Sequence, residues 1–154
     1  MSQHNPTTEV PRLDNLRVAI VTTEWNSFIT SELAESARKR LIELGCEPDD
    51  AVIYTVPGAV ELTFAASQII EASLFDAVIV CGCVIRGGTP HFDYVCQSVT
   101  QGVTSLNADC DIPVIFGVLT VDNEEQARER LNKGPEYADT AVKMVAFKRM
   151  LEDA

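Results

Sequence analysis

Ala77-Val78-Ile79-Val80-Cys81-Gly82-Cys83-Val84 runs without a charge into Ile85-Arg86-Gly87-Gly88-Thr89-Pro90-His91-Phe92-Asp93-Tyr94-Val95. The first eight residues are nearly all apolar, which predicts a strand buried on both faces and central in its sheet. Two glycines then turn the chain. A helix is predicted from about Phe92 to Leu106, with Val95, Val99, Val103 and Leu106 recurring at helical spacing.

The same alternation extends in both directions. Arg17–Thr23, Val52–Val56 and Pro113–Thr120 read as further buried strands. Ile29, Leu33, Ala37, Leu41 and Leu44 mark a helix that stops at Gly45. A second helix runs from about Val60 to Ser73, with Leu62, Ala65, Ala66, Ile69 and Ile70 inward. Asp122 or Asn123 caps a short helix over Glu124–Leu131. Asn132-Lys133-Gly134-Pro135 reads as a break, and a last helix follows from about Tyr137 to Leu151. Strands alternating with helices predict a four-stranded parallel sheet in a three-layer α/β/α sandwich. Residues 1–14, polar and holding Pro6 and Pro11, are expected as an extended arm, and residues 15–154 as a single domain.

The totals restrict function. A chain of 154 residues can bury roughly 70% of its unfolded surface without staples. A net charge of -11 argues against nucleic acid and anionic membrane as partners, so an anionic ligand must meet locally placed cations. No basic flank precedes an apolar core at the start, and no run approaches the ~20 apolar residues of a membrane span, so a cytoplasmic protein is expected. The five cysteines include no C-x-x-C, and only His4 and His91 could complete a zinc site. Small buried hydrophobes are their expected role, with no metal.

In parallel sheets ligands bind beyond the carboxyl ends of the strands. The unusual segments all fall at those ends: Trp25-Asn26, Pro57 to Glu61, Arg86 to His91, and Thr120 onward. Gly87-Gly88-Thr89 before a helix is either a phosphate seat or a plain tight turn. His91 is a general acid or base, or a capping histidine. Trp25, on a loop, stacks on a planar ring or covers the end of the core. Glu61 complements a helix dipole or accepts hydrogen bonds from a ligand. Arg130 and Lys133 are solvated charges or phosphate ligands. Phe116, in a buried strand, is expected in the core.

Taken together, Trp25-Asn26, Val56-Pro57-Gly58-Ala59-Val60-Glu61, Val84-Ile85-Arg86-Gly87 through His91-Phe92-Asp93-Tyr94-Val95, Pro113-Val114-Ile115-Phe116-Gly117, and Glu125-Gln126-Ala127 through Glu129-Arg130 resemble the 6,7-dimethyl-8-ribityllumazine synthase family from about Arg17 to the end. The resemblance implies a flavodoxin-like fold, no cofactor, and a transferase of riboflavin biosynthesis. Its reaction condenses 5-amino-6-(D-ribitylamino)uracil with 3,4-dihydroxy-2-butanone 4-phosphate. It implies that His91 transfers protons, that Trp25 stacks on the pyrimidine, and that Ala59, Val60 and Glu61 hold the ribityl chain. Cys83, Val84 and Ile85 would line the heterocycle, and Gly88 and Thr89 would seat the phosphate. Phe116 and Arg130 would come from a neighbouring subunit of a homopentamer. Trp25 and Val60 each stand where phenylalanine is usual, and the segment between Arg130 and Asn132-Lys133-Gly134 is shorter than is common. The rivals are an archaeal-type riboflavin synthase of the same fold, a non-catalytic flavin-binding or shell protein, and a flavodoxin-like electron carrier.

Overall fold

A computed structural model describes residues 9–109 and 111–154. The first eight residues of the expected arm, with His4, and also Cys110, lie outside the described residues. Four strands, β1 (Val18–Thr23), β2 (Ala51–Val56), β3 (Ala77–Ile85) and β4 (Val114–Val121), form one sheet. All pairings are parallel and the order is β2-β1-β3-β4. β1 is wholly buried, and β3 is buried up to Ile85, as their uninterrupted apolar sequences require.

The helices are α1 (Ser27–Glu43), α2 (Leu62–Ala72), α3 (His91–Asp109), α4 (Glu124–Arg128) and α5 (Lys133–Glu152). Alternation along the strands sorts the core into two layers. Val18 and Ile20 of β1 and Cys81 and Cys83 of β3 share one core with residues of α1 and α5. Ala19, Val21, Val78 and Val80 share the other with α2 and α3. From Val10 the arm already packs on the first core through Val10 and Leu13. Arg12 fixes it to the end of α1 through a 2.6 Å bond to the Glu43 carbonyl.

The stretch read as a break is helix. α5 begins at Lys133, and Pro135 falls in its first turn, where a missing N–H removes no helical bond. Gly134 is there for close approach to α1. A Cβ on it would meet the side chain of Ser36 and stand 2.7 Å from the Leu33 carbonyl oxygen. Of the two candidate caps for α4, Asn123 serves, its side chain accepting from the Gln126 N–H at 2.9 Å. At the far end of the sheet, the Asn107 carboxamide bonds both the N–H and the C=O of Val114, at 2.8 and 2.9 Å. Val78 N–H uses the carbonyl of Pro113, so the polar groups of Val114 point away from β3, toward the open edge.

Candidate active site

β1 leads to α1 and β2 on one side of the sheet, and β3 and β4 lie on the other. The carboxyl ends of β1 and β3 therefore meet at the point where the strand order reverses, and a crevice opens there. It is a cleft of about 490 Å³. Trp25 and Asn26 after β1, Gly58 to Glu61 after β2, Cys83 to Ile85 at the end of β3, Gly87 and Thr89 of the turn, and His91 of α3 line it. Gly88 lies between two of these lining residues.

Each wall has a local cause. The β1–β2 ladder continues past the strands, with Glu24 N–H on the Val56 carbonyl and Trp25 N–H on the Pro57 carbonyl. That brings Trp25 onto Gly58, where a Cβ would stand 3.3 Å from the indole Cδ1 and 3.4 Å from a Glu61 carboxylate oxygen. Trp25 is 74% exposed, so it stands at the cleft mouth and is not part of the core's cover. Ala59–Glu61 form a single 3-10 turn before α2. Glu61 thus stands at the head of a helix as well as at the cleft, and the two readings of it are compatible.

Asn26 does not cap α1 with its side chain. Its backbone is left-handed (φ 56), and its Nδ2 donates to the Cys83 carbonyl at 2.7 Å. One carboxamide so ties the loop after β1 to the end of β3, across a separation of 57 residues in the chain. No spacing rule in the sequence reveals that bond. Phe92 and Val95, on the first turns of α3, also line the cleft. Both stand in the motif that carries the family resemblance, but neither was singled out as a site residue.

His91 is exposed, and its backbone N–H lies 3.4 Å from Thr89 Oγ1. Burial raises the thiols of Cys81, to about 12, and of Cys83, to about 11, which leaves them protonated and unreactive at neutral pH. The Cys83 side chain is packed into the core shared with α1 and α5, so Cys83 offers the cleft its backbone. No group of three or more metal-ligating side chains occurs among the described residues. No described helix is long and apolar enough to cross a membrane.

Phe116 and Arg130 stand apart from this cleft. Phe116 is 39% exposed on edge strand β4, so the expectation of core packing fails. A strand with a neighbour on one side only is covered incompletely at its edge. Arg130, beyond α4, donates to the Gln126 carbonyl at 2.8 Å and lies 3.8 Å from Glu129. Lys133 pairs with Glu136 on its own helix at 3.4 Å. Among the described residues lining the cleft there is no lysine or arginine.

Comparisons with known proteins identify the family. The family model described as 6,7-dimethyl-8-ribityllumazine synthase matches residues 15–149. A protein of that description from Phocaeicola vulgatus is 48% identical over 148 residues, covering 93% of this chain and 88% of its own. Another, from Bacteroides fragilis, is 50% identical over 137 residues, with 86% and 96% covered. One from Micrococcus luteus is 50% identical over 134 residues, with 82% of each covered. The chain belongs to the 6,7-dimethyl-8-ribityllumazine synthase family.

Proposed function

We propose that this cleft is one half of an active site that condenses 5-amino-6-(D-ribitylamino)uracil with 3,4-dihydroxy-2-butanone 4-phosphate to 6,7-dimethyl-8-ribityllumazine, releasing phosphate. The observation that carries the reading is the composition of the cleft. Residues of the family's pyrimidine, ribityl and proton-transfer motifs surround it, yet no lysine or arginine among the described residues lines it. A phosphate ester bound by a chain of net charge -11 needs a cation, and Arg130 of a second copy supplies it.

In this reading Trp25 stacks on the pyrimidine, and the backbone of Cys83, Val84 and Ile85 borders the ring. Ala59, Val60 and Glu61 hold the ribityl hydroxyls, with the Glu61 carboxylate accepting. Gly88 and Thr89, before the first turn of α3, seat the phosphate where helix N–H groups attract an anion. An amine and a reactive ketone need chiefly to be held together, which can lower a barrier by roughly 7–11 kcal/mol. His91 shuttles the protons of imine formation, phosphate elimination and ring closure. No cofactor or metal is called for.

Exposed apolar side chains favour assembly. Phe64 on α2 is 70% exposed and Tyr94 on α3 is 69% exposed, more than an isolated chain gains from leaving in water. Phe116, on the β4 edge, is then lent to a neighbour's cleft together with Arg130. The family resemblance supports a homopentamer, and buried free thiols suit a reducing cytoplasm. Residues 15–154 form a single domain.

Complementation tests the shared site. His91→Ala and Arg130→Ala chains, each impaired by itself, regain part of the activity when co-assembled, because some interfaces then join two intact halves. Co-assembly verified by mass, with no recovery, would place both residues in one chain's site.

A further inference from the structure

We propose that Arg86 is a positioning residue: its guanidinium sets the first turn of α3, and with it the place of His91 over the cleft. The proposal rests on the reading of His91 as the proton-transfer group.

Before Phe92 and Val95 reach the core, the turn that carries His91 makes few contacts. Nothing lies within 4 Å of where a Cβ would stand on Gly87 or Gly88. Thr89 and Pro90 are exposed, and the bond from His91 N–H to Thr89 Oγ1 is long at 3.4 Å. The imidazole has no hydrogen-bond partner among the described residues. Its placement therefore follows from the backbone of α3's first turn, and that turn follows from whatever grips it.

Arg86 grips it from the sheet. Its backbone N–H donates to the Val121 carbonyl at 2.9 Å, extending the β3–β4 ladder beyond Ile85. Its Nε donates to Asp122 Oδ1 at 2.9 Å, which ties the side chain to the end of β4. From that anchor Cζ stands 4.4 Å from the ring centroid of Phe92, and Nη1 lies 3.8 Å from Asp93 Oδ1. Those are the two residues that follow His91. A planar group with donors on three nitrogens can face one carboxylate, approach another and lie over a ring at once, and an ammonium cannot. Solvent-exposed ion pairs add little to stability, so removing the guanidinium is expected to leave the fold intact.

The test compares Arg86→Ala and Asp122→Asn in the whole enzyme. Each is expected to lower kcat by about 10- to 100-fold, the effect of a small misplacement of a reacting group. KM for the phosphate-bearing substrate and the thermal midpoint stay nearly unchanged. The double variant is no slower than Arg86→Ala alone, because both changes break one contact. Arg86→Lys restores only part of the loss. In the His91→Ala background, Arg86→Ala adds nothing further. Undiminished kcat in Arg86→Ala overturns the proposal. A raised KM in Arg86→Ala that Asp122→Asn does not share also overturns it, since Arg86 then touches the phosphate itself. So does a fall in kcat that tracks a fall in thermal midpoint in both variants. Failure of the His91 reading shows separately, as near-normal turnover in His91→Ala alone.

Discussion

The two helical layers are finished to different degrees. On the α1/α5 face, Gly134 lets the helices close together, and α5 turns Ala138, Ala141, Val142 and Val145 fully inward. Phe147, Met150 and Leu151 remain outside toward its C-terminal end. On the α2/α3 face, α2 buries only Leu62 and Ala66, α3 only Val99 and Val103, and Phe64 and Tyr94 stand in solvent. The first is closed along α5 as far as Val145, whereas the second leaves Phe64 and Tyr94 exposed beside its few buried positions. The cleft opens at the seam, where the ends of β1 and β3 meet.

Substitutions at four positions probe that difference. The largest effect is expected at the seam itself. His91→Ala should lower turnover by about 10²–10⁴-fold, with the thermal midpoint barely moved. Steady-state rates measured beside thermal unfolding separate the two, and near-wild-type turnover would remove His91 from the chemistry. Next comes the unfinished layer. Phe64→Asp should weaken assembly by about 2 kcal/mol or more per contact, as loss of a buried aromatic anchor does, without unfolding the chain. Sedimentation would reveal smaller species with intact circular dichroism, and an unchanged oligomer would show that Phe64 lies outside the interface.

The finished layer should respond in the opposite way. Gly134→Ala gains about 1 kcal/mol of helix propensity. It also drives a methyl toward the Leu33 carbonyl, and overpacking of that kind costs about 1–3 kcal/mol. A lower midpoint with unaltered sedimentation is the expected result, and stabilisation would mean that α5 can lift away from α1. The smallest effect concerns Asn26. Asn26→Gly keeps the left-handed backbone and loses only the bond to Cys83, about 0.5–1.5 kcal/mol. Asn26→Ala loses both and should be the worse of the two in denaturant titrations. Equal losses would assign the whole effect to the hydrogen bond.

Much of this was legible in the residues. Apolar runs flanked by amphipathic segments fix a parallel sheet between two helical layers, and functional-looking segments at the strand ends mark where a crevice opens. Other features depend on what lies alongside in space. Gly134-Pro135 carries the signature of a break, yet the same two residues suit the first turn of a helix pressed against another. Phe116 reads as core because its neighbours in sequence are apolar, yet it is partly exposed while Val114 and Val118 on the same face of β4 are buried. The Asn26–Cys83 bond and the grip of Arg86 on Asp122 join residues 57 and 36 positions apart, and no periodicity encodes them.

Asn107 has a consequence for solubility. An open sheet edge is a template on which other chains can add strands without limit. A molecule that also leaves Phe64 and Tyr94 in solvent faces that hazard in every concentrated suspension of itself. At the first residue of β4, the carboxamide of Asn107 occupies the donor and the acceptor that an incoming strand would use. It imitates a neighbouring strand one residue long. Runaway backbone pairing at that corner finds its first rung already taken.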